Sequence, residues 1–298
     1  MMFTHLLVPL DGSRLAETAL PLSAYFARIL GAGVTLLHIV ERDAPDEIHG
    51  ERHLTDPEQA REYLDEAARN AFPEGVRVER RIESGEASGV ARRIQAYASS
   101  AGIDLVVMCT HGRSGIRHLL LGSNSQQVVA MGKIPVLQVR PSGMILETYH
   151  CRRILSPVDG EPAHEKGLHI SAGLARRFAA GLHLLQVVPT LRTMRGDRAA
   201  SARLSPAASM ALLDISLKDA QEYLARQAND LRADDLKITT GIERGDPAGT
   251  ILRVAKGSQS DLIVLATHRK AGADAFWSES VAPSVTKRSS VPVLLIPI

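Results

Sequence analysis

Residues Asp104–Asn124, DLVVMCTHGRSGIRHLLLGSN, carry the strongest structural signal in the sequence. It begins with a short, apolar, β-rich run, continues into a loop with three glycines, and opens a helical pattern after Ser123. A continuous apolar run next to turn residues is typical of a strand buried on both faces of a parallel sheet. The segment therefore predicts a strand, a glycine-rich loop and a helix, in that order.

The first part of this stretch, Asp104–His111, has a counterpart in Asp261–His268. Four further blocks return in the same order and at a nearly constant separation. They are Leu6–Gly12 with Ile154–Gly160, Leu36–Val40 with Leu184–Val188, Ile82–Gly85 with Ile242–Gly245, and Ile134–Val139 with Val291–Ile296. Such a series indicates a duplicated domain. We predict one domain over residues 1–142 and a second over residues 151–298, with a linker in Pro141–Tyr149.

Amphipathic patterns separate the apolar blocks, as in the series Leu15, Ala19, Leu22 and Phe26. Spacings of three and four residues place these side chains on one face of a helix. The resulting βαβαβαβαβ order predicts an α/β fold in which each copy forms a five-stranded parallel sheet with helices on both faces. Thr190–Ala211, rich in Ala, Arg and Ser, is expected to form a loop over the second domain.

Composition excludes several classes of protein. The formal net charge of +2 is too balanced to indicate a nucleic-acid-binding protein, and 45% hydrophobic with 23% charged residues is typical of a soluble globular chain. The sequence holds no uncharged apolar run long enough to span a bilayer, and Asp11 comes too early for a secretory signal. With two cysteines there is no disulfide framework, so we expect a cytoplasmic protein.

Topology predicts where a ligand would bind. Open parallel sheets bind ligands beyond the carboxyl ends of their strands, which in the first copy points to the loops after Pro9, after Ile39 and after Cys109. The third loop is rich in glycine, which lets the backbone approach a ligand closely. Ser123 then stands at a helix N-terminus, where unpaired N–H groups favour phosphate. A loop shaped only for packing is the alternative interpretation.

The run THGRSGIRHLLLGS, with VPLDGS near the start and IPVLQV at the end of the first copy, resembles the universal stress protein family. The signature of that family reads Gly-x2-Gly-x9-Gly-Ser/Thr. Here Gly112, Gly122 and Ser123 match it, whereas Cys109 occupies the position of the first glycine. The resemblance extends over nearly the whole chain, as two tandem domains, and implies flavodoxin-like, Rossmann-like folds with an adenine-nucleotide pocket that in many members holds ATP.

The resemblance also implies a set of site residues in the first copy. Asp11 would lie by the ribose or the metal–phosphate end, which makes it an indirect contact for Mg²⁺, and the backbone of Ile39 would meet the adenine. Pro9 and Leu10 directly precede Asp11, and Cys109 occupies the first position of the motif. The remaining positions line the ribose and phosphates; they are Met108, Gly112, Gly122, Ser123 and Asn124.

Two of these residues have other interpretations. Cys109 is compact enough to be tolerated where glycine is usual, and a small buried thiol is favoured there over a redox switch. Asp11 has the alternative role of an Asx turn or a helix cap ahead of Leu15.

The second copy departs further from the family motif. At the three glycine positions of the motif, the second copy has Ala266, Arg269 and Glu279. The last two align with Gly112 and Gly122 of the first copy. The counterparts of Asp11 and Ser123, which are Asp159 and Ser280, keep the same residue type. Glu279 would place negative charge beside a phosphate, so we expect no ATP in the second domain, which would be structural or bind another ligand.

The leading hypothesis is therefore a stress-response regulatory protein that binds ATP, with Mg²⁺, in its first domain. A slow ATPase or phosphotransferase is an alternative, which is less favoured because no arginine finger or placed base is identifiable. A scaffold that binds no nucleotide is another. The terminal strands Val136–Val139 and Val291–Ile296 are apolar edges that need cover, and we expect them to pair inside the chain as a pseudo-twofold dimer. A homodimer of whole chains and the identity of a protein partner stay open.

Overall fold

The structure is a computed structural model that describes residues 2–41, 47–48, 51–52, 54–85, 89–110, 124–141, 148–193, 206–232, 236–267 and 281–298. Contacts divide the described chain into two compact units. The first unit comprises residues 2–150 together with residues 290–297, and the second comprises residues 151–267, residues 281–289 and Ile298.

The first unit is built on a parallel sheet whose strand order is β5-β2-β1-β6-β7. Its elements are β1 (His5–Pro9), α1 (Arg14–Glu17), α2 (Leu20–Leu30), β2 (Gly33–Glu41), β3 (Glu47–Ile48), β4 (Glu51–Arg52), α3 (Pro57–Ala71), β5 (Val78–Gly85), α4 (Val90–Ser100), β6 (Leu105–Cys109), α5 (Asn124–Met131) and β7 (Val136–Val139). The short strands β3 and β4 pair only with each other, antiparallel. Five parallel strands confirm the architecture predicted for this copy.

The core of the first unit follows the apolar runs of the sequence. Side chains in the middle of β1 and β6, such as Leu6, Leu7 and Val106, have no exposed surface. Helix α2 packs on α3 and helix α4 packs on α5, so paired helices cover the sheet as predicted. Burial of both faces explains why these strands read as continuous apolar runs rather than as alternating ones.

The first helical pattern of the sequence is divided in the structure. Helix α1 begins after Ser13, whose hydroxyl accepts a 3.2 Å hydrogen bond from the amide of Ala16. It ends at Thr18, whose hydroxyl donates to the carbonyl oxygen of Leu15 at 2.6 Å. Helix α2 then restarts at Leu20, with Pro21 in its first turn, where proline costs no hydrogen bond. The apolar side chains that were predicted to lie on one helix therefore lie on two.

The second unit repeats the arrangement with the strand order β10-β9-β8-β11, all parallel. Its elements are β8 (Arg153–Val158), a 3₁₀ turn (Pro162–His164), α6 (Glu165–Phe178), β9 (Gly181–Val188), α7 (Pro206–Asp230), β10 (Ile238–Arg244), α8 (Pro247–Gly257), β11 (Leu262–Thr267) and α9 (Val281–Arg288). The loop predicted over Thr190–Ala211 is wrong for residues 206–211, which form the first turns of α7. Residues 194–205 of that stretch lie outside the described residues.

The last strand, β12 (Val293–Pro297), belongs to the first unit and lies antiparallel to β7, with Leu294 opposite Leu137. The pairing of the two terminal strands predicted from the sequence is thus present. The pseudo-twofold relation between whole domains stays a prediction. Of the linker, residues 142–147 lie outside the described residues, whereas Tyr149 is buried, with its ring 5.3 Å from that of Tyr25 on α2. Within the described parts of the chain, no helix is both long and apolar enough to cross a membrane.

Candidate functional site

The predicted site residues gather at one edge of the first unit. Strands β6, β1 and β2 are adjacent and parallel, so their carboxyl ends meet there. Pro9, Leu10, Asp11, Ile39, Met108 and Cys109 lie at these strand ends, and Asn124 begins α5. Gly112, Gly122 and Ser123 lie outside the described residues. Assignment of these ten residues to a nucleotide site stays a prediction.

Asp11 forms a tight turn directly after β1. Its Oδ1 accepts hydrogen bonds from the amide of Ser13 at 3.0 Å and from the Ser13 hydroxyl at 2.6 Å. Gly12 between them has φ of +90°, a conformation that glycine adopts without strain. The Asx turn considered for Asp11 is therefore present, and the cap of α1 is Ser13 instead. This turn fixes the carboxylate at the edge of the sheet.

Cys109 is a half-buried thiol at this edge. Its Sγ donates to the carbonyl oxygen of Thr110 at 3.1 Å. Burial raises the pKa of Cys109 to about 12, a hydrogen bond with the Thr18 side chain opposes that rise, and the charge of Asp11 adds to it. The group is consequently a neutral thiol at physiological pH.

Apolar side chains lie at the carboxyl ends of these strands. Leu10, Ile39 and Met108 are each no more than 6% exposed, so these residues offer mainly backbone atoms and a small apolar surface to a ligand. Helix α5 follows the glycine-rich motif directly, and the amide of Gln138 on β7 donates to the carbonyl oxygen of Ser125 in its first turn, at 3.4 Å. The N-terminus of α5 thus has a defined place beside the sheet.

The sequence interpretation missed a histidine at this edge. His38 is buried on β2, with its Nδ1 2.8 Å from the carbonyl oxygen of Leu10 and its Nε2 3.0 Å from that of Leu54. Leu54 in turn lies against Gly12. The available signal was a single polar residue inside the apolar run Leu36–Val40, which is replaced by Gln186 in the second copy.

The corresponding edge of the second unit has different chemistry. Asp159 accepts from the amide of Glu161 at 3.1 Å, and its second oxygen lies 2.5 Å from Nδ1 of His164. Helix α6 approaches β11 so closely that a Cβ on Gly167 would lie 3.2 Å from both the amide nitrogen and the Cβ of Ala266. Arg269, Glu279 and Ser280 lie outside the described residues.

A partly buried polar network joins helices α6 and α7 in the same unit. Glu165 accepts a 2.8 Å hydrogen bond from the amide of Gln227. Burial, the charges of Glu165 and Asp159, and a hydrogen bond with Glu165 raise the pKa of Tyr223 to about 12. These groups join α7 to the start of α6 and have no counterpart among the residues predicted for the first site.

Metal binding by protein side chains alone finds little support. Among the residues that the structure describes, no group of three or more His, Cys, Asp and Glu side chains is arranged to hold a metal ion.

Comparison with known proteins identifies the family. The model of the universal stress protein family matches residues 2–140 and again residues 150–297. A universal stress protein of Mycolicibacterium smegmatis is 25% identical over 98% of this chain and 96% of its own length, and universal stress protein YxiE of Bacillus subtilis is 30% identical over 47% of this chain and 100% of its own.

Solved structures agree with the fold. A universal stress protein from Archaeoglobus fulgidus is similar with a TM-score of 0.64 at 19% identity, covering 98% of this chain and 96% of that one. A putative universal stress protein from Pseudomonas aeruginosa is similar with a TM-score of 0.68 at 17% identity, covering 99% of this chain and 93% of that one. With two family matches that together span almost all of its residues, the chain belongs to the universal stress protein family as a tandem pair of the family's domains.

Proposed function

We propose that this universal stress protein is a regulatory protein that binds ATP, with Mg²⁺, at the carboxyl edge of its first unit. The observation that carries the proposal is that Asp11, Ile39 and Cys109 lie at the carboxyl ends of adjacent parallel strands. They precede α5, the helix that follows the glycine motif. Ligands of open parallel sheets bind at this place. ATP would act as a signal that biases conformation or partner binding.

The described residues fit an adenine nucleotide. The buried side chains of Leu10, Ile39 and Met108 provide an apolar floor for a base, and backbone groups of the same strand ends can pair with its edge. Cys109 directs its thiol to the carbonyl oxygen of Thr110. Phosphate would lie at the N-terminus of α5, where backbone N–H groups and the helix dipole favour negative charge.

We propose that the second unit holds no ATP. Glu279 would stand where the motif needs glycine, and two unit charges 4 Å apart repel by about 4 kcal/mol at a surface-like dielectric. The close approach of Gly167 to Ala266 supports the same assignment, because it fills space beside the first motif position. This unit is then structural or binds a different ligand.

The proposal extends to organisation and location. The proposed domains are residues 1–142 and 151–298, and the family matches over residues 2–140 and 150–297 support this division. Charge balance and the two cysteines support a cytoplasmic protein that partners neither nucleic acid nor membrane. The β7–β12 pairing supports an intramolecular pseudo-dimer, and association of two chains into a homodimer is a further expectation.

Calorimetric titration of Mg·ATP into nucleotide-stripped protein tests the proposal. We expect a stoichiometry near one and loss of binding in Gly122→Glu, which copies the residue of the second domain into the first. Gly257→Glu is the matched control, because it adds the same charge at the end of α8 in the second unit, where φ is not positive and a Cβ meets nothing within 4 Å. That variant should bind as the wild type does.

Two other results would redirect the assignment. Steady turnover of labelled ATP by the wild type, lost in Gly122→Glu, would make the protein a slow ATPase or phosphotransferase. Absence of heat, together with absence of competition by any adenine nucleotide, would leave a scaffold or a ligand of another class.

A further inference from the structure

The amino edge of the second unit's sheet, where its parallel strands begin, carries a cluster of cationic side chains. A helix that connects two parallel strands runs back across the sheet, so it ends at the edge where the strands begin. The start of β8, the ends of α6 and α7, and the residue before β10 therefore lie at one edge. Six exposed cations stand on these segments, and we name them the basic edge; they are Arg152, Arg153, Arg176, Arg177, Arg232 and Lys237.

Hydrogen bonds hold the segments of the basic edge side by side. The first two amides of β9 donate to the carbonyl oxygens of Arg152 at 2.8 Å and Lys237 at 2.9 Å. In the last turn of α6, Nη2 of Arg176 donates to the carbonyl oxygen of Leu231, just after α7, at 2.8 Å. The cations consequently form one cluster rather than being scattered over the surface.

No ion pair neutralises the basic edge within the described part of the chain. Arg153 and Arg176 donate instead to backbone carbonyl oxygens just beyond the ends of α8 and α7. Burial lowers the pKa of His183 on β9, and the positive charge of Arg153 lowers it further. Because each guanidinium has five N–H donors, most of the donors at this edge are available to a ligand.

Two described carboxylates lie near the basic edge. Asp261 precedes β11, and its Oδ2 accepts from the amides of Arg152 at 2.7 Å and Arg153 at 2.9 Å. Asp230 is the last residue of α7 and is exposed. Residues 233–235, which include two aspartates, lie outside the described residues. Among the described residues, six cations therefore face two carboxylates, and one of these is already engaged by backbone amides.

The first unit shows that this fold does not need the cations. The carboxylate of Asp104 there accepts from the amides of Thr4 at 2.7 Å and His5 at 3.0 Å, just as its counterpart in the second unit accepts from two arginine amides. Arg77, which precedes β5 as the lysine of the basic edge precedes β10, forms an ion pair with Glu79 at 3.9 Å. The same backbone framework is thus built with a threonine and a histidine in place of two arginines.

We propose that the basic edge binds an extended acidic segment of a partner protein. Arginine suits this role because a guanidinium pairs with a carboxylate through two parallel hydrogen bonds. The site goes beyond the proposed nucleotide-binding function, since it lies on the second unit and at the amino edge of the sheet rather than at a carboxyl edge. It gives the regulatory protein a surface for a partner.

Two features favour a polypeptide over a polynucleotide. Helices α6, α7 and α8 end at this edge, and the last carbonyl groups of a helix need hydrogen-bond donors. A peptide supplies N–H donors together with its carboxylates, whereas the phosphodiester backbone of DNA supplies acceptors only. In addition, β10 begins directly after Lys237 and pairs only with β9 among the described strands. An edge strand of this kind can pair with the backbone of an added peptide.

The width of the sheet sets the length of the segment. Neighbouring strands lie about 4.8 Å apart, so the four parallel strands of the second unit span about 14 Å. An extended peptide advances about 3.3 Å per residue, so about five residues cross this edge. A peptide of about twice that length is therefore long enough to occupy the whole basic edge.

Fluorescence anisotropy with a labelled peptide of about ten glutamates tests the proposal on the whole chain. At an ionic strength of about 0.05 M we expect saturable binding, and at about 0.5 M we expect none, because salt screens exposed charges. The variant Arg177→Gln/Arg232→Gln/Lys237→Gln removes three exposed cations. It should weaken binding by about tenfold, since an exposed ion pair contributes at most about fivefold. Circular dichroism checks that the variant is folded.

The matched control removes three charges from the first unit. Arg77→Gln/Arg80→Gln/Arg81→Gln changes the net charge equally, but each of these arginines forms an ion pair of its own. This variant should bind the peptide as the wild type does. An equal loss in both variants would overturn the proposal, because the response would then follow net charge alone.

Two further results would overturn the acidic segment as the ligand. One is absence of peptide binding to the wild type at low salt. The other is tighter binding of a labelled single-stranded DNA of equal length, lost in the variant of the basic edge, which would assign this surface to nucleic acid. Titration of Mg·ATP should give the wild-type result in that variant, so failure of this proposal and failure of the proposed function are told apart.

Discussion

Leu54 packs on Gly12 at a distance that only glycine allows. A Cβ built on Gly12 would lie 2.9 Å from Cδ1 and 3.0 Å from Cγ of Leu54, and Gly12 has φ of +90°. In the second unit Gly160 has φ of +84°, but its Cβ would come no closer than 3.6 Å to Gln186. The two turns thus share a backbone conformation and differ in how tightly a side chain covers them.

This difference predicts unequal effects of one substitution. Gly160→Ala should lower the free energy of unfolding by about 1 kcal/mol through backbone strain alone, and Gly12→Ala by about 2–4 kcal/mol, because overpacking against Leu54 adds to the same strain. Urea unfolding followed by circular dichroism measures both. Equal losses in the two variants would contradict the contact between Leu54 and Gly12.

The thiol of Cys109 should resist modification in the folded protein. With a pKa of about 12, its thiolate fraction at about pH 8 is smaller than that of an ordinary cysteine by about a thousandfold. In a Cys151→Ser background, the reaction with a disulfide reagent should be slower by about that factor than in denaturant. Thr18→Val should slow it further, since the hydrogen bond with the Thr18 side chain lowers the pKa of Cys109. Equal rates for folded and unfolded protein would contradict the burial of the group.

Tyr223 should make stability fall at alkaline pH. Its pKa is raised to about 12 from an ordinary value near 10, so the unfolded chain loses this proton before the folded one does. The contribution is fully present below about pH 10 and is lost as pH rises to about 12. Tyr223→Phe should flatten that fall and cost about 1 kcal/mol at neutral pH, because Glu165 loses one hydrogen bond and keeps the one from Gln227. If the network were absent, the free energies of unfolding of the wild type and of Tyr223→Phe, measured by chemical unfolding, would change in parallel across this pH range.

Asp11 should contribute to Mg·ATP affinity through its charge. Asn at position 11 keeps an oxygen that can accept from Ser13, so Asp11→Asn preserves the turn and removes the negative charge. We expect affinity for Mg·ATP to fall by about tenfold, with little change for ATP measured without magnesium. Asp159→Asn is the matched control in the second unit and should leave binding unchanged. An identical loss with and without magnesium would show that the charge of Asp11 does not act through the metal ion.

Much of the fold could be predicted because the strands carry strong local signals. Runs such as Leu105–Met108 are apolar throughout, and their repetition in the second copy fixes where domains and strands occur. The break between α1 and α2 could not be read in the same way, since the spacing of Leu15, Ala19 and Leu22 continues across it. It depends on the Thr18 hydroxyl turning back to the carbonyl of Leu15.

The candidate site could likewise be predicted only in part. Asp11 and Ile39 could be placed at one edge because strand ends follow from topology. His38 and Leu54 could not, because their importance arises from a contact between residues far apart in sequence, and a buried histidine inside an apolar run resembles ordinary core. Tertiary packing, not local pattern, gives His38 these two carbonyl contacts.

The antiparallel pairing of β7 with β12 has a consequence for synthesis on the ribosome. Strand β7 ends at Val139, whereas its partner begins at Val293, so the first unit emerges with one edge of its sheet uncovered while some 150 further residues are translated. An open apolar edge recruits other strands. During this interval, neighbouring nascent chains on the same messenger RNA would compete with β12 for the open edge of β7. A chain that stops before residue 293 would have no β12 to cover that edge.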